Sequence, residues 1–172
     1  PQLPRRCFRE SMIIQYAEGM PFLHISDEEQ KIFVERDESD ELERFYETAS
    51  ADSRIAMSED FAAGFHAFMR LIHDRRFRII KGHITGPLTF TLGLKDSRGV
   101  SIYFDEELRE IGAMLLYAKA RWQIDMLKQF AERVIIFVDE PILTAIGSSS
   151  YLGVTEGEVQ RMLTDTAAVI ES

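Results

Sequence analysis

Cysteine is almost absent from this sequence, with Cys7 alone in 172 residues. An internal disulfide is therefore excluded, and a reducing cytoplasm suits the composition. Long apolar runs are missing too. None approaches the roughly 20 residues that span a bilayer, and no signal-peptide pattern opens the chain. Positive charge is in deficit: 20 Lys and Arg stand against 29 Asp and Glu, for a formal net charge of −9. That balance argues against nucleic acid or an anionic membrane as the main partner. The remainder is ordinary for a soluble globular chain, with 45% hydrophobic and 28% charged residues. The length suffices for one domain with its own core. The first residue is Pro1 rather than Met, so we expect a chain trimmed or processed at its N-terminal side.

The most informative stretch is Val134-Ile135-Ile136-Phe137-Val138-Asp139-Glu140-Pro141. Its β-branched, unbroken apolar run predicts a strand buried on both faces, as in a parallel sheet covered by helices. Pro141 removes a donor and holds Glu140 extended, so the strand stops there. In α/β barrels and open α/β sheets, chemistry sits at the carboxyl ends of parallel strands, which singles out Asp139 and Glu140. The plain alternative is that Asp139 caps the next turn and Glu140 is solvated.

Before that stretch, residues 1–6 read as a proline-held loop, and residues 8–17 as a helix with Met12, Ile13 and Tyr16 on one face, closed by Gly19. Residues 22–25 and 31–34 read as a hairpin around Ser26-Asp27-Glu28-Glu29. Ser39 is expected to cap a helix to residue 48, with Leu42, Phe45 and Tyr46 inward. Ser58 is expected to cap a helix to residue 73 with a stripe of Phe61, Phe65, Phe68, Met69 and Ile72. His66 and His73 are seven apart on it, but with no third ligand in view a solvated or core role outweighs a metal face. Residues 77–85 form a second buried-strand candidate ending in Thr85-Gly86-Pro87, where glycine permits close approach. An apolar turn or helix over 88–92 and an exposed hairpin through 95–104 come next.

Asp105 caps the longest helix, to about residue 131, striped by Leu108, Ile111, Leu115, Ala118, Trp122, Met126 and Leu127. Past the Asp-Glu-Pro strand, residues 144–153 form a small polar loop suited to backbone contacts with a ligand or to plain flexibility. Thr155 and Glu158 form a capping box for the last helix, with Val159, Met162, Leu163, Ala167 and Ile170. The two buried strands joined by a long helix make a right-handed βαβ unit. Two such strands cannot close a sheet, so the pattern predicts part of a larger α/β fold.

Two motifs, Lys81-Gly82-His83-Ile84-Thr85-Gly86-Pro87-Leu88-Thr89 and, a helix later, Ile136-Phe137-Val138-Asp139-Glu140-Pro141, resemble the paired signatures of the cobalamin-independent methionine synthase catalytic domain. That domain shares a superfamily with uroporphyrinogen decarboxylase and corrinoid-dependent methyltransferases. The opening Pro1-Gln2-Leu3-Pro4-Arg5-Arg6, residues 58–65 and Lys119-Ala120-Arg121-Trp122-Gln123 are similar to stand-alone microbial proteins of that superfamily. The resemblance covers nearly the whole chain. It implies a (βα)8 TIM barrel with inserted hairpins, of which residues 1–172 are a single incomplete domain. An N-terminal strand and the later strands would be missing.

The resemblance also implies chemistry: zinc-activated transfer of a methyl group to a thiol such as homocysteine, in methionine biosynthesis. The zinc ligands, a His-x-Cys motif and a later Cys, would follow Ser172, leaving none within this chain. The methyl donor would be a folate or a corrinoid protein. Asp139 falls on the acid that binds the amino group of homocysteine, through a charge-assisted hydrogen bond. Glu140 would orient the loop or face the substrate, and Thr85 and Gly86 would line the same face. Arg5 and Arg6 fall in a loop whose decarboxylase counterpart binds carboxylates, a task suited to guanidinium groups. The competing expectations are a metal-free decarboxylase-like or corrinoid-protein methyltransferase barrel, and an inactive fragment that self-associates through exposed barrel edges.

Overall fold

A computed structural model of the chain describes residues 7–50, 52–147 and 153–171. In chain order the elements are α1 (Ile14–Ala17), β1 (Leu23–Ser26), β2 (Lys31–Val34), α2 (Glu41–Thr48), α3 (Glu59–Ile72), β3 (Phe77–Thr85), α4 (Pro87–Gly93), α5 (Glu106–Lys128), β4 (Ala131–Asp139) and α6 (Glu156–Glu171). Short 3-10 turns lie at Phe8–Glu10, Ile102–Phe104 and Pro141–Thr144.

The longest helix, α5, carries the core. Asp105 starts it by accepting the Leu108 N–H at 3.0 Å, which satisfies one of the donors a helix leaves free at its beginning. Leu108, Ile111, Leu115, Leu116, Ala120 and Leu127 are buried along it, in one cluster with Ile80 and Ile84 of β3. A second cluster joins Leu88 and Leu92 of α4, Ala113 of α5 and Met162 of α6. The last helix begins as its capping box predicts, with Thr155 Oγ1 accepting the Glu158 N–H at 3.3 Å. The Glu158 carboxylate, however, turns to Arg161 and Arg109.

The strands make two separate sheets. β1 and β2 pair antiparallel, with Leu23 opposite Val34, as the hairpin pattern predicts. β3 and β4 pair parallel, from Phe77 opposite Ala131 to Thr85 opposite Asp139. The link between them contains α5, so the βαβ sequence of the pattern is present as a parallel pair.

The barrel expected from the resemblance is not the observed fold. Among the described residues there are six helices and two sheets of two strands each, an open α/β arrangement. A barrel needs a continuous ring of about eight parallel strands, and half of the strands here belong to an antiparallel hairpin. The same finding overturns the burial expected of residues 134–138. α5 covers the face that carries Ile80, Gly82 and Ile84, where an added Gly82 Cβ would strike Gln123 and Leu127. The opposite face is open: Ile79, Ile135 and Phe137 are 48%, 38% and 50% exposed. A run of apolar residues fixes a strand, but two neighbours and a second covering layer are needed to bury it.

Smaller expectations also change. The helix over 8–17 resolves into a 3-10 turn and the single turn of α1. Ser39 does not cap α2; Asp40 holds that position, and Tyr46 is turned outward at 46% exposure. The hairpin through 95–104 is reduced to one bridge, Lys95 to Ser101, followed by a turn that buries Ile102 and Tyr103.

α3 is kinked at Ala62, whose φ of −142° and ψ of 42° leave helical space. The hydrogen bond between Gly64 N–H and the Asp60 carbonyl would close across this point. Both groups are instead met from the 3-10 turn at the start of the described chain. Glu10 Oε1 accepts the Gly64 N–H at 3.0 Å, and Cys7 Sγ donates to the Asp60 carbonyl at 3.9 Å.

Candidate functional site

The register Thr85–Asp139 puts both Asp-Glu-Pro and Thr-Gly-Pro at the carboxyl end of one strand pair. The Gly86 N–H donates to the Asp139 carbonyl at 2.9 Å, which carries the ladder one step past the strands. From there the two acidic residues part. Glu140 turns to α4: its Oε1 accepts the Leu88 N–H at 2.9 Å and its Oε2 the Thr89 N–H at 2.7 Å. Both oxygens thus meet orphan donors of the helix start, where a negative charge also suits the helix dipole. Burial is the largest influence on this carboxyl and raises its pKa, against the lowering effect of its bonds to Thr89 and Leu88.

Gly86 makes that seat possible. A Cβ there would stand 2.1 Å from the Glu140 Cδ, closer than any side chain tolerates. The glycine of one motif and the glutamate of the other are therefore one structural device. Thr85 is also engaged: it is buried, and its Oγ1 donates to the Met12 carbonyl at 2.9 Å, tying the early loop to the strand end.

Asp139 is different. Its side chain is half-buried on the open face of β4 and makes no hydrogen bond or ion pair with described residues. His83, two residues before Thr85, shares that face, since alternate residues of a strand point the same way. Burial lowers the His83 pKa, and the Asp139 charge acts in the opposite direction. Lys81 lies one step further down, its Nζ 3.7 Å from the centre of the Phe137 ring. The structure thus brings Asp139, Glu140, Thr85 and Gly86 together, and of the four side chains only that of Asp139 has no hydrogen bond to a described residue. Arg5 and Arg6 lie outside the described residues, as do positions 148–152 of the polar loop.

Beside the free edge of β3 lies a cleft of about 180 Å³, lined among others by Glu10, Tyr16, Phe65, Phe68, His83 and Gln123. The His83 carbonyl faces this side and accepts from Tyr16 Oη at 2.8 Å and from Gln123 Nε2 at 3.1 Å. Burial raises the Tyr16 pKa. Reasoning from sequence passes over Glu10 and Gln123. Neither has a distinctive sequence context, Gln123 being named only within the stretch 119–123, and only the fold shows that both line one cleft.

Zinc, implied by the resemblance, lacks a ligand set here. Among the described residues no three His, Cys, Asp or Glu side chains come together to hold a metal ion. Cys7 is exposed. His66 Nε2 pairs with the Met57 carbonyl, while His73 is exposed and pairs with the Arg70 carbonyl. No helix among the described residues is long and apolar enough to cross a membrane. No known family, curated protein or solved structure was found to match the chain.

Proposed function

We propose that this chain carries the substrate-amine-binding segment of a methionine-synthase-like methyltransferase, acting on a thiol such as homocysteine. The carrying observation is the division of labour between two adjacent acids. Glu140 spends both oxygens on α4, whereas Asp139 stands at the strand end with its carboxylate unengaged by any described residue. A substrate ammonium donates to that carboxylate in a charge-assisted bond, stronger than a neutral one. The transfer itself forms a sulfur–carbon bond as the donor's bond to the same methyl breaks, and the thiol proton leaves to solvent. Residues of this chain hold the acceptor; the donor, a folate or a corrinoid protein, approaches from elsewhere.

Isothermal calorimetry with homocysteine tests the reading. Asp139→Asn is expected to weaken binding about tenfold, the effect of roughly 1.4 kcal/mol, with an unchanged melting temperature. Equal affinity in the two proteins would remove Asp139 from the site.

A further inference from the structure

The cleft at the free edge of β3 has a carboxylate of its own, on Glu10, separate from the two acids at the strand ends. We infer that it binds a small organic ammonium ion, the cation on Glu10 and an apolar body between Phe65, Phe68 and Leu127. This inference is independent of the methyltransferase reading.

Glu10 is the anchor. It is 7% exposed, so nine-tenths of this charged side chain is out of water. Oε1 is bound to the Gly64 N–H at the kink of α3. Oε2 has no partner among the described residues, and Glu10 lines the cleft. A largely buried carboxylate with one oxygen unpaired beside a cavity is a strong acceptor for a cationic donor.

The other charged groups on the lining do not compete for that role. The Lys81 ammonium is drawn away onto the Phe137 ring. Burial works against a proton on the His83 ring. Tyr16 Oη and Gln123 Nε2 are both occupied at the His83 carbonyl. Glu10 therefore sets the sign of the cleft. Gly82 contributes by having no side chain, since a Cβ there would lie 3.0 Å from Leu127 Cδ1 and closer still to Gln123. The volume, about 180 Å³, is of the size that holds one benzene-like ring, for which roughly 150 Å³ suffices.

The test uses benzylammonium chloride as the probe and benzyl alcohol as its uncharged counterpart, followed by amide chemical shifts of the whole chain. Benzylammonium is expected to shift the Glu10, Ala62, Gly82 and Leu127 amides, with a Kd on the order of 1 mM. It should bind at least about fivefold more tightly than benzyl alcohol. Glu10→Gln keeps an acceptor for the Gly64 N–H and removes the charge, so it should abolish the preference while leaving the alcohol's affinity unchanged. Equal affinity of the wild-type chain for both probes would overturn the inference without reference to any variant. So would the absence of shifts at those amides, which would make the cleft a water-filled gap.

Discussion

At the scale of single residues, the least comfortable position in the molecule is Lys119. It is completely buried on α5 and its Nζ has no hydrogen-bond partner among the described residues. Burial pushes its pKa down to about 8 from 10.5, against a weaker opposing pull from Glu18. The sign follows from linkage. Between these two values the unfolded chain still holds the proton and the folded chain has released it, so stability rises with pH through that window. Below about pH 8 the folded state carries a buried ammonium, at a cost on the order of 3 kcal/mol. Lys119→Met should therefore be more stable than the wild type at pH 7, by urea midpoint, and the gap should close as the pH approaches 10. A gap that stays constant would mean that the amine is not the cause.

Gly86 and Glu140 give the second residue-scale prediction. Gly86→Ala should cost about 2–3 kcal/mol, because the new methyl must dislodge a carboxylate that serves two buried N–H groups. Glu140→Ala should cost about as much. Since both variants remove the same pair of bonds, the double variant should be clearly less destabilised than the sum in urea unfolding. Full additivity would separate the two residues.

At the scale of elements, the kink in α3 depends on the turn that precedes α1. Glu10→Ala leaves the Gly64 N–H unsatisfied and should cost about 1–3 kcal/mol, with hydrogen exchange accelerated first around residues 62–66. Unchanged protection there would show that the kink is closed by the helix itself. This coupling spans 54 residues and could not be read from sequence, since Phe61, Phe65, Met69 and Ile72 keep their helical spacing across the kink. By contrast, what is decided locally was legible. Asp105 and Thr155 cap as expected, through Leu108 and Glu158, and the β1–β2 hairpin forms around the charged stretch 26–29. Tyr46 misled because an apolar stripe was read from three residues of a short helix that buries Phe45 alone.

The same limit governs the site. Thr-Gly-Pro and Asp-Glu-Pro were legible as motifs, and the placement of Asp139 at a parallel strand end follows from them. That Glu140 is turned away onto α4, and that Gly86 exists to admit it, required the register of β3 against β4. Sequence gives the residue types at a strand end; the ladder decides which of them still has a free group.

At the scale of the whole molecule, the parallel pair is the exposed feature. Among the described residues neither edge of this two-stranded sheet has a neighbouring strand, and one face presents Ile79, Ile135 and Phe137 to solvent. Such a face invites association even in a chain with a net charge of −9. Sedimentation velocity should show concentration-dependent association of the wild-type chain, and Phe137→Glu should suppress it. A wild-type monomer at all concentrations would mean that charge repulsion prevails. The extent of this open face also explains why the expected burial of residues 134–138 failed: an apolar run reports which residues are apolar, not how many strands are present to cover them.

On the proposed reading, Asp139, and not Glu140, is the acid that holds a substrate amine. The most direct measurement crosses the protein change with a ligand change: calorimetric titration of wild type and Asp139→Asn with homocysteine and with 4-mercaptobutyrate, which lacks the amino group. The account predicts that removing the amino group and removing the charge each weaken binding about tenfold, and that doing both weakens it little further. Independent, additive losses would contradict it, because they would place the ammonium somewhere other than on Asp139.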